Sequence, residues 1–460
     1  NGEFSQMLIR FILENAYSFS SRKEFNMLPA SRIRHLPDHV YKTQNIPLLK
    51  MASLYGANGA GKSNLIKGLS LLKDLVIEES VALRFNHRYG HKFNGNNKGK
   101  PISFIIEFIQ DDIPFLYGIE IEEGIVSSEV LYRSGLGEGE DQLIYDRKST
   151  GKDEHIIAFS NQYEQTDECK TFKKILTSGF ISSNKSALKT ISNQDNKYLD
   201  DAKKAFAWFS STLQIILPET MVGGFAHILK ENQSLKNYAE KFMQSFNIGI
   251  TSIDIDTRNM NEIMDEDNES AKSILEIIGK SSSGVVEMSR NNGKDSIVLV
   301  KSGDDIVAEH LLIGHKGGKE GDEYVKFDLD DESDGTVRLL HFIPAFKDVT
   351  LNQHVYVIDE IERSVHPLMI KELIRKFSHD DKTNGQLIFT THESNLLDQN
   401  IFRQDEIWLV EKDNLGSTDI YSLSSFHKEH NTIDIRKGYL SGRYGAIPFI
   451  GNLSDFNWGD

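Results

Sequence analysis

Apolar and polar residues alternate from Met7 through Asn15 (Met-Leu-Ile-Arg-Phe-Ile-Leu-Glu-Asn) and again around Ser18 to Phe25, so two paired strands joined by a polar turn are expected. Leu48 to Tyr55 is a short, mostly apolar run that stops at glycine. Ser63 to Val76 then sets Leu65, Ile66, Leu69, Leu72 and Val76 at helical spacing, which makes strand, glycine loop, helix. Ile102 to Phe108 and Phe115 to Ile121 read as strands of a meander, followed by an acidic, glycine-rich loop (Gly137 to Asp141) and the apolar Leu143-Ile144-Tyr145. Asp200 to Ile216, Gln233 to Phe246 and Glu269 to Ile278 show helical spacing, whereas Ser296 to Lys301 is strand-like. The last third alternates: a helix from Thr336, a strand at Val355 to Ile358, a helix at Pro367 to Phe377, a strand at Gln386 to Thr390, then Glu406 to Glu411. Strand and helix taking turns imply a mainly parallel sheet.

These patterns divide the chain into residues 7–160 (glycine loop and meander), a helix-rich insertion over 161–325, and 326–460, where the alternation resumes. Residues 1–6 carry neither the basic nor the apolar region of a secretory signal and precede Met7, so they are read as an expression remnant. No apolar run approaches the roughly 18 residues that span a bilayer, so no membrane partner is expected. With 460 residues, two to three domains of roughly 150 residues are expected. The charge balance, 52 Lys+Arg against 68 Asp+Glu for a net −16, repels phosphates overall, so contact with nucleic acid must be local or supplied by a partner. The single Cys169 excludes an intrachain disulfide and suits a reducing, cytoplasmic setting.

The strongest chemical motif is Gly56-Ala57-Asn58-Gly59-Ala60-Gly61-Lys62-Ser63, followed by Asn64, a phosphate-binding loop standing between an expected strand and an expected helix. Glycines let backbone N–H groups wrap a phosphate, the helix start adds its dipole, Lys62 reaches the β and γ phosphates, and Ser63 ligates Mg²⁺. The second site is the strand Val355-Tyr356-Val357-Ile358 ending in Asp359-Glu360. Asp359 is assigned to Mg²⁺ and Glu360 to the base that deprotonates the attacking water; a strand ending in solvated acids is the plainer alternative. Leu387-Ile388-Phe389-Thr390-Thr391 ends at His392, which one βαβ unit would bring beside Asp359 as a γ-phosphate sensor or leave as a structural histidine.

With Glu332-Ser333-Asp334-Gly335-Thr336-Val337-Arg338 preceding the Asp359 strand, the order of motifs resembles an ABC-type ATPase head. More closely, the chain is similar to the ABC-like, AAA-type ATPases of prokaryotic anti-phage systems, including the AbiL, RloC-associated and PARIS-type ATPase subunits. The likeness rests on Met7 to Phe19, Gly56 to Leu65, Glu332 to Arg338, Ile358 to Pro367, Thr391 to Leu397 and Tyr439 to Phe449. It implies an α/β fold with a RecA-like P-loop core, N-terminal antiparallel β elements and a helix-rich insertion. It also implies ATP and Mg²⁺ as ligands, and a head-to-tail dimer in which Ser333, Asp334, Gly335 and Thr336 of one copy face Lys62 and Ser63 of the other. Two positions depart from the pattern. No glutamine stands in a convincing Q-loop context, Gln110 merely following a strand-like stretch, and His366-Pro367 stand where many ABC proteins place an aspartate.

The resemblance implies a sensor or regulator of phage defence, with a phage-derived trigger and a separate effector nuclease as partners. Asp254-Ile255-Asp256 and Asp328-Leu329-Asp330 are assigned to a strand surface and to an acidic lead-in rather than to a nuclease centre. The alternative function is a RecF- or SMC-like repair ATPase that binds duplex DNA, opposed by the net charge and the lack of long heptads. A GTPase reading fails at Asn196-Lys197-Tyr198-Leu199, where Leu199 stands in place of the acid.

Overall fold

The computed structural model describes residues 5–78, 85–93, 99–151, 154–259, 277–278, 284–290, 295–302, 305–317, 323–426 and 434–447. The chain forms two units. Unit 1 comprises Asn1–Pro218, Val349–Ile361 and Lys371–Asp460; unit 2 comprises Glu219–Asp348 and Glu362–Ile370.

Unit 1 begins with β1 (Met7–Glu14) and β2 (Lys23–Asn26), antiparallel as the alternation predicts, with Phe11 opposite Phe25. The run expected as one strand from Leu48 to Tyr55 is two, broken at Lys50: β4 (Pro47–Leu49), which pairs with β3 (Val40–Lys42), and β5 (Met51–Tyr55). Lys50 turns inward and donates to the carbonyls of Ser378 (3.1 Å) and Asp380 (2.6 Å), so its charge faces helix-end acceptors. After α1 (Lys62–Glu78) and α2 (Phe85–Tyr89), the meander runs β6 (Ile102–Gln110), β7 (Ile113–Glu122), β8 (Ile125–Arg133), β9 (Gln142–Gly151) and β10 (Glu154–Phe159). With β1 and β2 these strands make one sheet in the order β10-β9-β8-β7-β6-β1-β2.

Four short helices follow: α3 (Asn161–Glu164), α4 (Asp167–Ile175), α5 (Leu188–Ser192) and α6 (Asp200–Ala207). The fully buried Glu129 of β8 ties α5 to the meander. Its carboxylate accepts from the hydroxyls of Tyr117 (3.0 Å) and Tyr145 (2.9 Å), from Arg147 (3.2 Å), and from the N–H groups of Ala187 and Leu188 at the helix start. The helix expected from Asp200 to Ile216 stops at Ala207. After one wider turn, Leu213–Ile216 becomes β11, because its Ile215 and Ile216 gain more by joining a sheet than by continuing a helix.

Unit 2 contains α7 (Phe225–Glu231), α8 (Gln233–Ser245), β12 (Ile250–Asn259), β13 (Val285–Arg290), β14 (Asp295–Ser302), β15 (Asp305–Gly317), β16 (Glu323–Asp328) and the first turns of α9 (Asp334–Leu351), which passes into unit 1 at Val349. The strands form an antiparallel sheet in the order β12-β15-β14-β13, with β16 also on β15. The stretch 161–325, expected to be helix-rich, is therefore mostly strand in its described part beyond Ser245, including the strand expected at Ser296 to Lys301. Along β15, Glu309, Leu311 and Ile313 are buried at a period of two, the pattern of a strand with one face covered. The helix expected over 269–278 lies outside the described residues except for Ile277 and Ile278. Buried Glu309 of β15 accepts from His227 (2.9 Å) and Lys230 (2.7 Å), pinning α7 to the sheet.

The chain closes with β17 (Val355–Ile358), α10 (Pro367–His379), β18 (Gln386–Thr390), β19 (Ile407–Lys412), β20 (Thr418–Ser422) and α11 (Ile435–Leu440). In unit 1 the second sheet has the order β11-β17-β18-β5-β19-β20, parallel except for β20. Its central strands β5 and β18 are buried at every position, which explains their unbroken apolar text. Helix α1 fills the core between this sheet and the meander, burying Leu65, Ile66, Leu69, Leu72, Leu75 and Val76. Each such side chain contributes roughly 2 kcal/mol. Among the described residues no helix is long and apolar enough to cross a membrane.

Candidate functional site

Parallel register decides where the site forms. Ile358 lies beside Phe389, and Thr390 beside Leu54, so the residues that follow β5, β17 and β18 emerge together at the carboxyl edge of the sheet in unit 1. They are the glycine loop, Asp359-Glu360 and Thr391-His392.

The loop runs from Gly56 to Ser63. Gly56 must lack a side chain, because a Cβ there would lie 2.2 Å from the carbonyl oxygen of Val410. Gly61 has φ 116° and no room, since a Cβ would meet Thr418 Oγ1 at 2.2 Å and Ser18 Oγ at 2.8 Å. Gly59 (φ 77°) faces open space. Ser18 and Thr418 buttress the loop: Thr418 Oγ1 lies 2.7 Å from both Ser18 Oγ and the carbonyl of Ala60, and Asn64 Nδ2 donates to Ser18 Oγ at 2.8 Å. Neither buttress was legible beforehand. Ser18 belongs to an ordinary polar turn, and Thr418 is 400 positions further along the chain.

Lys62, although charged, is buried; its Nζ donates to the carbonyls of Gly56 (2.7 Å) and Ala57 (3.2 Å) and to His392 Nδ1 (3.3 Å). A donor on Nδ1 leaves Nε2 as the protonated nitrogen of a neutral ring. Ser63 Oγ donates to Asp359 Oδ1 (3.0 Å), as does Thr390 Oγ1 (2.6 Å), and the Asp359 N–H is held by the carbonyl of Ile216 at the end of β11 (2.9 Å). Glu360 adopts φ 50°, a left-handed conformation that turns the backbone off the strand direction. Its N–H donates to Thr390 Oγ1 (2.7 Å). Glu360 is half-buried, whereas Asp359 is almost fully buried. Residues 56–64, 359, 360 and 392 are thus gathered in one unit, from three strand ends.

The donor set fits Mg²⁺ and a triphosphate. A carboxylate and a hydroxyl are hard oxygen ligands of the kind Mg²⁺ takes alongside substrate phosphates, and both lie beside a buried ammonium and the start of a 17-residue helix. Asp359 and Ser63 would hold the metal; Lys62 and the loop N–H groups would face the phosphates.

Ser333, Asp334, Gly335 and Thr336 belong to unit 2, at the start of α9. Ser333 Oγ accepts from the Thr336 N–H (3.1 Å), an N-cap, while Ser333 and Asp334 remain exposed. Gly335 packs so closely on the segment after β17 that a Cβ would lie 2.4 Å from the carbonyl oxygen of Ser364, itself at φ 62°. His366 Nδ1 accepts the N–H of Leu368, so it serves as the start of α10.

Gln110 does not belong to the site. Its Oε1 accepts from Thr212 Oγ1 (3.0 Å), just before β11 begins, which places it at the amino edge of the sheet, opposite the glycine loop. Asp254 faces Lys326 (3.4 Å), Asp256 faces Arg258 (2.7 Å) and Asp328 faces His310 (3.7 Å), each carboxylate with a neighbouring cation or imidazole. Asn196 is buried, donating to Tyr163 and Glu168 and capping Tyr198. A Ser378–His39–Glu406 chain has the connectivity of a hydrolase triad, with 2.9 Å links. All three side chains are sealed from solvent, however, and Ser378 donates to the carbonyl of Ile401, so the chain joins α10 to the loop before β3.

Known proteins give the following likenesses. No curated protein matches the chain. Three solved structures are similar to it at 12% identity: the SMC head bound to the C-winged helix domain of ScpA (TM-score 0.42, covering 90% of this chain and 97% of that one), the SMC head domain from Thermotoga maritima (0.36; 90% and 98%), and the Smc head domain with an extended coiled coil bound to the C-terminal domain of ScpA derived from Pyrococcus furiosus (0.39; 95% and 99%). Residues 51–398, well over half of the chain and enclosing the loop, both carboxylates and His392, match the family described as "AAA domain, putative AbiEii toxin, Type IV TA system". The chain belongs to that family and carries an AAA-type ATPase domain.

Proposed function

We propose that the chain is a Mg²⁺-dependent ATP hydrolase. The observation that carries this reading is the meeting of Lys62, the Ser63–Asp359 hydroxyl–carboxylate pair, Glu360 and His392 at one sheet edge. The loop N–H groups and Lys62 Nζ bind the β and γ phosphates, with Lys62 exchanging its carbonyl partners for phosphate oxygens. Ser63 and Asp359 would hold the Mg²⁺, which when bound would supply charge neutralisation for the triphosphate. Glu360 orients a water in line with the γ phosphate and takes its proton on the carboxylate, and His392 Nε2–H donates to a γ oxygen. Lys62→Ala tests nucleotide capture: Mg·ATP binding by calorimetry should weaken by at least about tenfold. Unchanged binding would remove Lys62 from the site.

Beyond the chemistry, the reading is a regulatory ATPase of a bacterial defence system that controls a separate toxic effector nuclease and dimerises head to tail, with Ser333 to Thr336 meeting the partner's nucleotide. The family's description, naming a type IV toxin–antitoxin system, supports it. A second reading, a RecF- or SMC-like ATPase that contacts duplex DNA, is favoured by one feature. Arg32 and Arg34 are exposed on a loop whose carbonyls at Ile33 and His35 are gripped by buried Arg403 (3.1 and 2.7 Å). Salt-sensitive duplex binding in ATP, lost on Arg32→Glu with Arg34→Glu, selects the second reading; co-purification with an effector and no duplex binding at low salt selects the first.

A further inference from the structure

Among the residues around the two acids, Thr390 is tied to more of them than any role in strand β18 requires. It is fully buried at the end of that strand. Its hydroxyl donates to Asp359 Oδ1 at 2.6 Å and accepts the Glu360 N–H at 2.7 Å, and its carbonyl accepts the Ile361 N–H at 3.2 Å. Three consecutive residues, 359 to 361, are therefore held by one threonine. A hydroxyl has a single proton, and Asp359 takes it, so only a lone pair is left for Glu360. An L-residue at φ 50° is in a conformation that side chains disfavour, and the Thr390 bonds to the two N–H groups hold it at the turn that re-aims Glu360.

We propose that Thr390 is a positioning residue for hydrolysis: its hydroxyl sets the metal-side carboxylate and the base-side backbone in one fixed relation. This rests on the reading of Asp359 and Glu360 given above. The strand needs none of it, since a valine at the end of a buried parallel strand would satisfy packing equally well. Losing the hydroxyl should leave nucleotide capture by Lys62 intact and slow the step that depends on Glu360.

The test compares the full chain with Thr390→Val and Thr390→Ser, measuring phosphate release against Mg·ATP and against Mg²⁺, and hydrogen exchange at Glu360 and Ile361. Thr390→Val should lower kcat at least about tenfold with KM for Mg·ATP within about twofold, raise the Mg²⁺ concentration for half-maximal rate, and speed exchange at Glu360. Thr390→Ser should keep all three at the parent values. Parent-like kcat in Thr390→Val, or a folded Thr390→Ser that loses kcat, overturns the positioning role while leaving the ATPase reading in place. Should Thr390→Val fail to fold, the serine variant still decides. A parent chain that binds Mg·ATP but releases no phosphate overturns the ATPase reading itself, and the role of Thr390 with it.

Discussion

Gly61 is constrained twice, by a backbone conformation that L-residues avoid and by the two hydroxyls that close over its Cα. Gly61→Ala should therefore reduce Mg·ATP affinity by at least about tenfold, through displacement of Thr418 and Ser18 and a shifted Ala60 carbonyl, while Gly59→Ala, strained in φ but free of neighbours, should cost less. Titration calorimetry on the two variants checks the order; equal losses would mean that conformation alone matters. At this scale the sequence was informative where chemistry dictates residue type. The loop, Asp359, Glu360 and His392 could be named from spacing. Ser18, Thr390, Ile216 and Thr418 could not, because serine, threonine and isoleucine occur everywhere and only the parallel register and the β19–β20 hairpin bring these four to the loop.

Elements of unit 1 that carry period-two or unbroken apolar text were readable: β1, the first two meander strands, β17 and β18 all fall close to their expected bounds, and β5 differs by the break at Lys50. β11 and the unit 2 sheet, apart from β14 at its expected Ser296 to Lys301, were not. In β11 helical spacing continued past the point where the sheet offered better burial, and in β12 to β16 polar residues on the outer face diluted the alternation. Unit 2 carries its own acid sensitivity. Burial first, and the Arg338 guanidinium second, push His341 on α9 down to about 4, and its Nδ1 accepts the Val222 N–H (2.9 Å), so the ring is neutral in the folded state. The unfolded chain binds the proton more readily, so stability at this site is complete above about pH 6.5 and falls as the pH drops towards 4, by roughly 3 kcal/mol. Hydrogen exchange over residues 334–348 should accelerate across that window in the parent and stay flat in His341→Gln, which keeps an acceptor but does not titrate. An equal acid response in both would place the sensitivity elsewhere.

Over the whole molecule, the net charge of −16 becomes easier to interpret once the acids are placed. Asp359 is buried among hydroxyls and Glu360 sits beside it, whereas Asp254, Asp256, Asp328 and Glu309 face cations or histidines of their own unit. The charge therefore argues against a broad DNA-binding face, while Arg32 and Arg34 remain exposed on their loop. Turnover of ATP is common to both readings of the biology. The most direct test of the central claim is steady-state phosphate release from Mg·ATP by the full chain and by Glu360→Gln, with nucleotide binding and mass measured on the same samples. Mg²⁺-dependent release by the parent is expected, with a loss of about a hundredfold or more in Glu360→Gln, binding preserved, and a nucleotide-stabilised dimer of that variant. Release by Glu360→Gln at the parent rate would contradict that claim.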